Sequence, residues 1–187
     1  MRIIGGEFKR KKLNEPINKK TRPLKDLTKE SLFNILNHSN KFNFNLKDSS
    51  ILDLFSGVGS FGIEALSRGS KFVTFVENLD EVLNVLKKNI NSLNINEKYE
   101  IIEEDVFLFL NKINFKNKYN LIFLDPPYKE KEINSLLNTI YYKEILDNKG
   151  LLVIHRHKSE IDTFPKNFNI LEQKIYGISK IIIGEYN

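Results

Sequence analysis

Short apolar runs alternate with segments of helical period between residues 50 and 156, and few architectures accept that pattern. SILDLF (50–55), KFVTFVE (71–77), YEIIEED (99–105), YNLIFLD (119–125) and GLLVIHR (150–156) read as strands. Between the first two, GSFGIEALSRG (59–69) reads as a helix ended by Gly69. Leu79, Val82, Leu83, Leu86, Ile90 and Leu93 then fall at helical spacing, and further helices are expected around 106–112 and 132–145. Repeated strand–helix units predict a mostly parallel sheet covered on both faces. The tail, FNILEQKIYGISKIIIGEY (168–186), reads as two strands meeting near Tyr176 and Gly177, an antiparallel hairpin at one edge.

Ahead of this unit lie a helix starting at an Asp26 N-cap, with Leu32, Phe33, Ile35 and Leu36 on one face, and a basic segment. RIIGG and EFKRKKL are expected to form a short extended arm, with Gly5 and Gly6 as its turn. The predicted division is an arm or hairpin over 1–25 and one domain over 26–187, a length that suits a single core. Residues 1–25 hold nine Lys or Arg against Glu7 and Glu15, so they carry +7 while the whole chain carries +5. A basic arm on a near-neutral body predicts a polyanionic partner, with Arg2, Lys9, Arg10, Lys11 and Lys12 as candidate phosphate contacts.

The chain has no Cys, which excludes disulfides, thiolate metal sites and thiolate nucleophiles. With three His no metal site is expected. No long apolar segment opens the chain and no run reaches membrane-spanning length, so a soluble, cytoplasmic protein is expected.

In a parallel sheet, ligands bind beyond the carboxyl ends of the strands. Asp53, Glu77 and Asp105 sit at three such ends. After the first strand comes Gly57-x-Gly59-x-x-Gly62, with Glu77 twenty positions beyond Gly57. This fits a nucleotide fingerprint in which glycines admit the ligand and the acid grips ribose hydroxyls. Asp53 separates two cofactors: a carboxylate would repel a pyrophosphate but attract an ammonium and a sulfonium. The pattern therefore favours S-adenosylmethionine over NAD, with Asp105 able to accept from the adenine amine.

At the fourth strand end stands DPPY (125–128). Each residue before a proline is pushed into extended backbone, so Asp125 and Pro126 leave the strand stiffly. The Asp125 carboxylate and the Pro126 carbonyl then form a fixed pair of acceptors beside Tyr128. That corner suits an exocyclic base amine, whose lone pair is delocalised into its ring. Two acceptors drawing on its hydrogens favour a pyramidal nitrogen, and stacking on Tyr128 would contribute roughly 1–3 kcal/mol.

MRIIGG, RPLKDLTKESLFNIL, ILDLFSGVGSFGIEALSRGS, FVEN, LIFLDPPY and YGISKIII occur in one order along nearly the whole chain. In this the sequence resembles the bacterial 16S ribosomal RNA guanine-N2 methyltransferase family (RsmD-type). The resemblance implies a class I methyltransferase (Rossmann-like) fold with a seven-stranded sheet, S-adenosylmethionine as donor, and one guanine of small-subunit 16S ribosomal RNA as acceptor. The RNA would be free or within an assembled or partly assembled subunit; separately, chain length and the absence of coiled-coil heptads lead us to expect a monomer. By position, Asp53, Phe55, Gly57 and Gly59 would line the cofactor's amino-acid end, with Arg22 and Pro23 nearby. Glu77 would hold the ribose and Asp105 the adenine. Asp125, Pro126, Pro127 and Tyr128 would form the reaction site. The chain departs from the family at Leu24 and Leu27, where relatives carry Thr and Arg. It departs again around His155 and His157, where acids are usual and a structural role is expected for the histidines. An adenine-N6 methyltransferase and an RNA-binding assembly factor with a relic cofactor site remain alternatives; an oxidoreductase would leave DPPY without a task.

Overall fold

In the computed structural model, the described residues are 1–16, 24–95, 97–112, 118–127 and 130–187. Among these residues seven strands form one sheet: β1 (Ser50–Leu54), β2 (Phe72–Glu77), β3 (Tyr99–Glu103), β4 (Tyr119–Leu124), β5 (Leu146–His157), β6 (Phe168–Tyr176) and β7 (Ser179–Tyr186). Their order is β3-β2-β1-β4-β5-β7-β6. The first five run parallel to one another, whereas β7 runs antiparallel between β5 and β6. The predicted parallel sheet and terminal hairpin are both present.

Among the described residues five helices flank it: α1 (Asp26–His38), α2 (Ser60–Ser67), α3 (Asp80–Asn91), α4 (Val106–Lys112) and α5 (Ile133–Tyr142). Successive strand residues point to opposite faces, and here both faces are buried. Ile51, Val73, Leu121, Phe123 and Val153 pack with Leu32, Phe33, Phe61 and Leu86 on one side. Leu52, Val76, Ile122, Leu124 and Ile154 pack with Val106, Phe109, Leu136 and Ile140 on the other. Phe61 stacks between Phe33 and Phe123, at centroid distances of 5.1 and 4.0 Å. This column ties α1 and α2 to the strand that ends in DPPY.

Two local expectations change. Helix α1 begins at Asp26, but Lys25 is the cap residue and its side chain makes no capping hydrogen bond among the described residues. The Asp26 carboxylate instead accepts from Arg2 Nε at 3.1 Å, because the N-terminal segment lies against the helix start. Nor is that segment extended throughout. Residues 5–10 form a turn, and Arg2 and Lys12 pair across it in an antiparallel bridge. Arg10 takes a left-handed φ of 74° to close the loop. Ile3, Leu13 and Leu24 are buried in the core shared with α1 and α2, while residues 9–12 stay exposed.

Candidate active site

The order of strands reverses between β1 and β4, which opens a crevice past their carboxyl ends. A cavity of about 590 Å³ occupies it, a size suited to a small-molecule cofactor. Asp53, Phe55, Gly57, Glu77, Asp105, Asp125, Pro126 and Pro127 all line it. The structure therefore gathers strand-end residues spread over 75 positions of sequence around one space. A second concavity of about 600 Å³ runs along α5 between polar side chains, away from the glycine loop.

Each acid is held by backbone donors. Asp53, 1% exposed, accepts from Gly62 N–H at 3.0 Å, in the first turn of α2. Glu77 accepts at Oε2 from Gly57 N–H at 2.9 Å, and at Oε1 from Asn78 and Leu79 N–H at 2.9 and 3.0 Å. It thus fastens the glycine loop to the end of β2 while its carboxylate faces the cavity. Asp105 caps α4 through Oδ1, which accepts from Phe107 and Leu108 N–H. Its Oδ2 lies 3.5 Å from Asn78 Nδ2 at the cavity wall. Capping and lining coexist here, because a carboxylate has lone pairs enough for both.

The glycines differ in what they do. Gly57 has φ +57° and open space where a Cβ would stand. Gly59 sits at the α2 N-cap with φ +83°, and a Cβ there would meet Leu86 Cδ1 at 2.5 Å. Its neighbours Val58 and Ser60 line the cavity, and the absence of a side chain here leaves room for Leu86 and Ile63. Residues Arg22, Pro23 and Tyr128, all anticipated at the site, lie outside the described residues. Leu24, immediately after the first two, reaches the cavity wall.

Charge is one-sided. Five carboxylates (Asp53, Glu77, Asp105, Asp125 and Glu130) line the cavity, with no Lys or Arg among its described lining residues. Burial pushes the Asp53 carboxyl well above the ordinary range; the Gly62 N–H partly offsets this, and Asp125 and Glu77 add to it. Ser56 Oγ is buried in the same wall without a hydrogen-bond partner among the described residues. Such a set of acceptors fits a cation that also carries hydroxyl and amine donors, and it does not fit a pyrophosphate.

Two residues at the end of β5 complete the corner, and sequence reasoning assigned neither of them to the site. His155 Nδ1 lies 2.8 Å from Asp125 Oδ1. Arg156, 1% exposed, donates to the carbonyls of Pro127 (3.3 Å) and Glu130 (2.7 Å) and to Asp162 Oδ1 (2.9 Å). The available signal was the parallel pairing of β4 and β5. Leu124 pairs with Ile154, so the next residues along, Asp125 and His155, emerge side by side. The basic candidates lie elsewhere. Lys9, Arg10, Lys11 and Lys12 are exposed on the N-terminal turn, and Arg2 is paired with Asp26.

The family described as Conserved hypothetical protein 95 matches residues 1–185. The Ribosomal RNA small subunit methyltransferase D of Buchnera aphidicola (subspecies Acyrthosiphon pisum) is 34% identical, over 92% of this chain and 86% of its own length. The protein of the same name from Haemophilus influenzae is 33% identical, over 95% of this chain and 90% of its own. Among solved structures, "Putative methyltransferase yhhF from Escherichia coli" superposes with a TM-score of 0.83 at 27% identity, covering 100% of this chain and 98% of that one. The sheet order and the crevice are those of a class I methyltransferase.

Proposed function

The chain belongs to the Conserved hypothetical protein 95 family, and on that premise we propose that it methylates the exocyclic N2 of one guanine in 16S ribosomal RNA. The donor is S-adenosylmethionine, and the enzyme acts in the cytoplasm as a monomer. One observation carries the reading: the Asp125–Pro126 corner opens onto the same carboxylate-lined cavity as Asp53, Glu77 and Asp105.

Bound there, S-adenosylmethionine supplies an electrophilic methyl group on a cationic sulfur, with a neutral thioether as leaving group. Asp53 stands ready for the cofactor's positive charge, Glu77 for its ribose hydroxyls, and Asp105 with Asn78 for its adenine edge. Phe55 and Phe107 provide apolar wall. Asp125 and the Pro126 carbonyl accept the hydrogens of the base amine and hold its nitrogen pyramidal. The stiff backbone of the two prolines makes this arrangement cheap at the moment of reaction, since little has to reorganise.

The test is transfer of labelled methyl to small-subunit particles lacking the modification, and to free 16S RNA, followed by digestion and nucleoside identification. N2-methylguanosine is the expected product. N6-methyladenosine would overturn the choice of base, and no labelled nucleoside in either arm would overturn the reading.

Cofactor affinity is expected to follow the charge on Asp53. A cationic ligand is attracted by the ionised carboxylate only, and Asp53 is raised by burial. Affinity for S-adenosylmethionine should therefore climb as pH rises through the raised Asp53 value. In the free protein the same shift has the opposite consequence. Stability falls as pH rises from the unfolded carboxyl's range to the folded one, because the unfolded state ionises first. Calorimetric titration across pH checks this, and Asp53→Asn should flatten the dependence.

The basic turn would grip phosphates around the target base. Converting Lys9, Arg10, Lys11 and Lys12 to Ala should weaken RNA binding and reduce the slope of log K against log salt by on the order of 2–4. Cofactor affinity should stay the same. An unchanged salt slope would remove the turn from the RNA interface.

A further inference from the structure

Asp125 is held by a side chain from the neighbouring strand. Its Oδ1 meets His155 Nδ1 at 2.8 Å, and the imidazole is buried, 3% exposed. The Asp125 side chain, 23% exposed, is open on its other side to the cavity it lines. Nε2 of the ring is buried with no hydrogen-bond partner among the described residues. These facts select a tautomer. With its proton on Nε2, the ring would bury an unpaired N–H and aim a lone pair at the carboxylate. With its proton on Nδ1, it donates a charge-assisted bond to Asp125 and leaves only an acceptor unpaired.

We propose that His155 is a positioning residue for the methyl transfer: its Nδ1–H fixes the Asp125 carboxylate through Oδ1 and leaves Oδ2 turned to the substrate amine. This rests on the reading that Asp125 accepts from the base amine. Arg156 does for the main chain what His155 does for the side chain. Its guanidinium spans the Pro127 and Glu130 carbonyls and is itself anchored on Asp162. Consecutive residues of a strand point in opposite directions, so the end of β5 holds the DPPY corner at two separate points. A carboxylate on an unbraced loop would sample several rotamers, each with the acceptor displaced from the attacking geometry.

The experiment measures single-turnover methyl transfer at saturating S-adenosylmethionine, using the full chain and RNA substrate identified above. His155→Ala should slow transfer about 10- to 100-fold, with the cofactor Kd within about 2-fold of its original value. His155→Asn, whose amide N–H can occupy the place of Nδ1–H, should recover to within about 3-fold of the unsubstituted rate. His155→Leu keeps bulk without a donor and stands in for the Ala variant if that one does not fold. A second readout needs no turnover: the 15N shifts of His155 should show Nδ1 protonated and Nε2 bare. An unchanged rate in both donor-free variants overturns the positioning role, as does an Asn variant no faster than they are, or an Nε2–H tautomer. If the unsubstituted chain transfers no methyl at all, the functional reading falls and this role falls with it.

Discussion

Asp125→Asn is expected to lower the single-turnover rate of methyl transfer by about 10²–10³-fold, the scale of losing one preorganised charge-stabilising contact at a reaction centre. The substitution preserves shape, so the corner should stay folded. It places an amide where the reaction needs acceptors. If the amide oxygen keeps the bond from His155, the amide N–H₂ faces the substrate amine, donor against donor. If it flips, the donor from His155 loses its partner. Neither rotamer offers the base what the carboxylate does. Affinities for S-adenosylmethionine and RNA should change by less than about 3-fold, because the lost contact operates mainly in the transition state. The comparison needs Kd and rate measured separately, and a variant retaining more than about a tenth of the original rate would contradict the proposed chemistry.

The largest expected loss of stability lies away from the reaction, at Glu64 in α2. Its carboxylate, fully buried, accepts from Ile4 and Gly5 N–H at 2.8 Å each and from Arg68 Nε at 2.7 Å. Lys29 Nζ stands 3.5 Å away, also fully buried, and donates to the Arg2 carbonyl at 2.8 Å and to Ser60 Oγ at 3.4 Å. One acid thus binds the N-terminal turn, α1 and α2 into a unit whose Ser60 borders the strand-end cavity. Burial lowers the Lys29 pKa despite the nearby Glu64, a sign of how costly its charge is there. Glu64→Ala leaves that ammonium without its counter-charge and orphans two backbone N–H groups. A loss of about 3–5 kcal/mol follows, which at this chain length means a Tm lower by roughly 6–20 °C. Lys29→Met should cost less, because Glu64 would keep three donors. Thermal unfolding of the two variants tests the asymmetry: equal losses, or a larger one for Lys29→Met, would show that the acid is not the hub.

Much of this molecule is legible in short windows of its sequence. The apolar runs and helical spacings place all seven strands within a few residues, because parallel strands buried on both faces show as short apolar runs and helices as a 3.6-residue period. The shared edge of the strand-end acids follows from parallelism alone: if the strands run together, Asp53, Glu77, Asp105 and Asp125 must come out together. The double burden on those acids was harder to read. Glu77 fastens the glycine loop, Asp105 caps a helix and Gly59 is required by Leu86, besides or instead of touching a ligand. A single residue type in a motif is compatible with either task, and only the positions of neighbouring N–H groups distinguish them.

By itself, then, the sequence determined the sheet, the helices that cover it, the acid-lined end and the charge of the N-terminal turn. These are consequences of periodicity and composition, which act over a handful of residues. Tertiary structure alone decided that His155 braces Asp125, that Arg156 clasps the loop beyond it, and that Glu64 gathers the N-terminal turn onto α2. Each of those contacts joins segments 26 to 60 positions apart. Each exists because strand register and burial leave a charged or polar group no water to turn to, so it takes whichever partner the packing delivers.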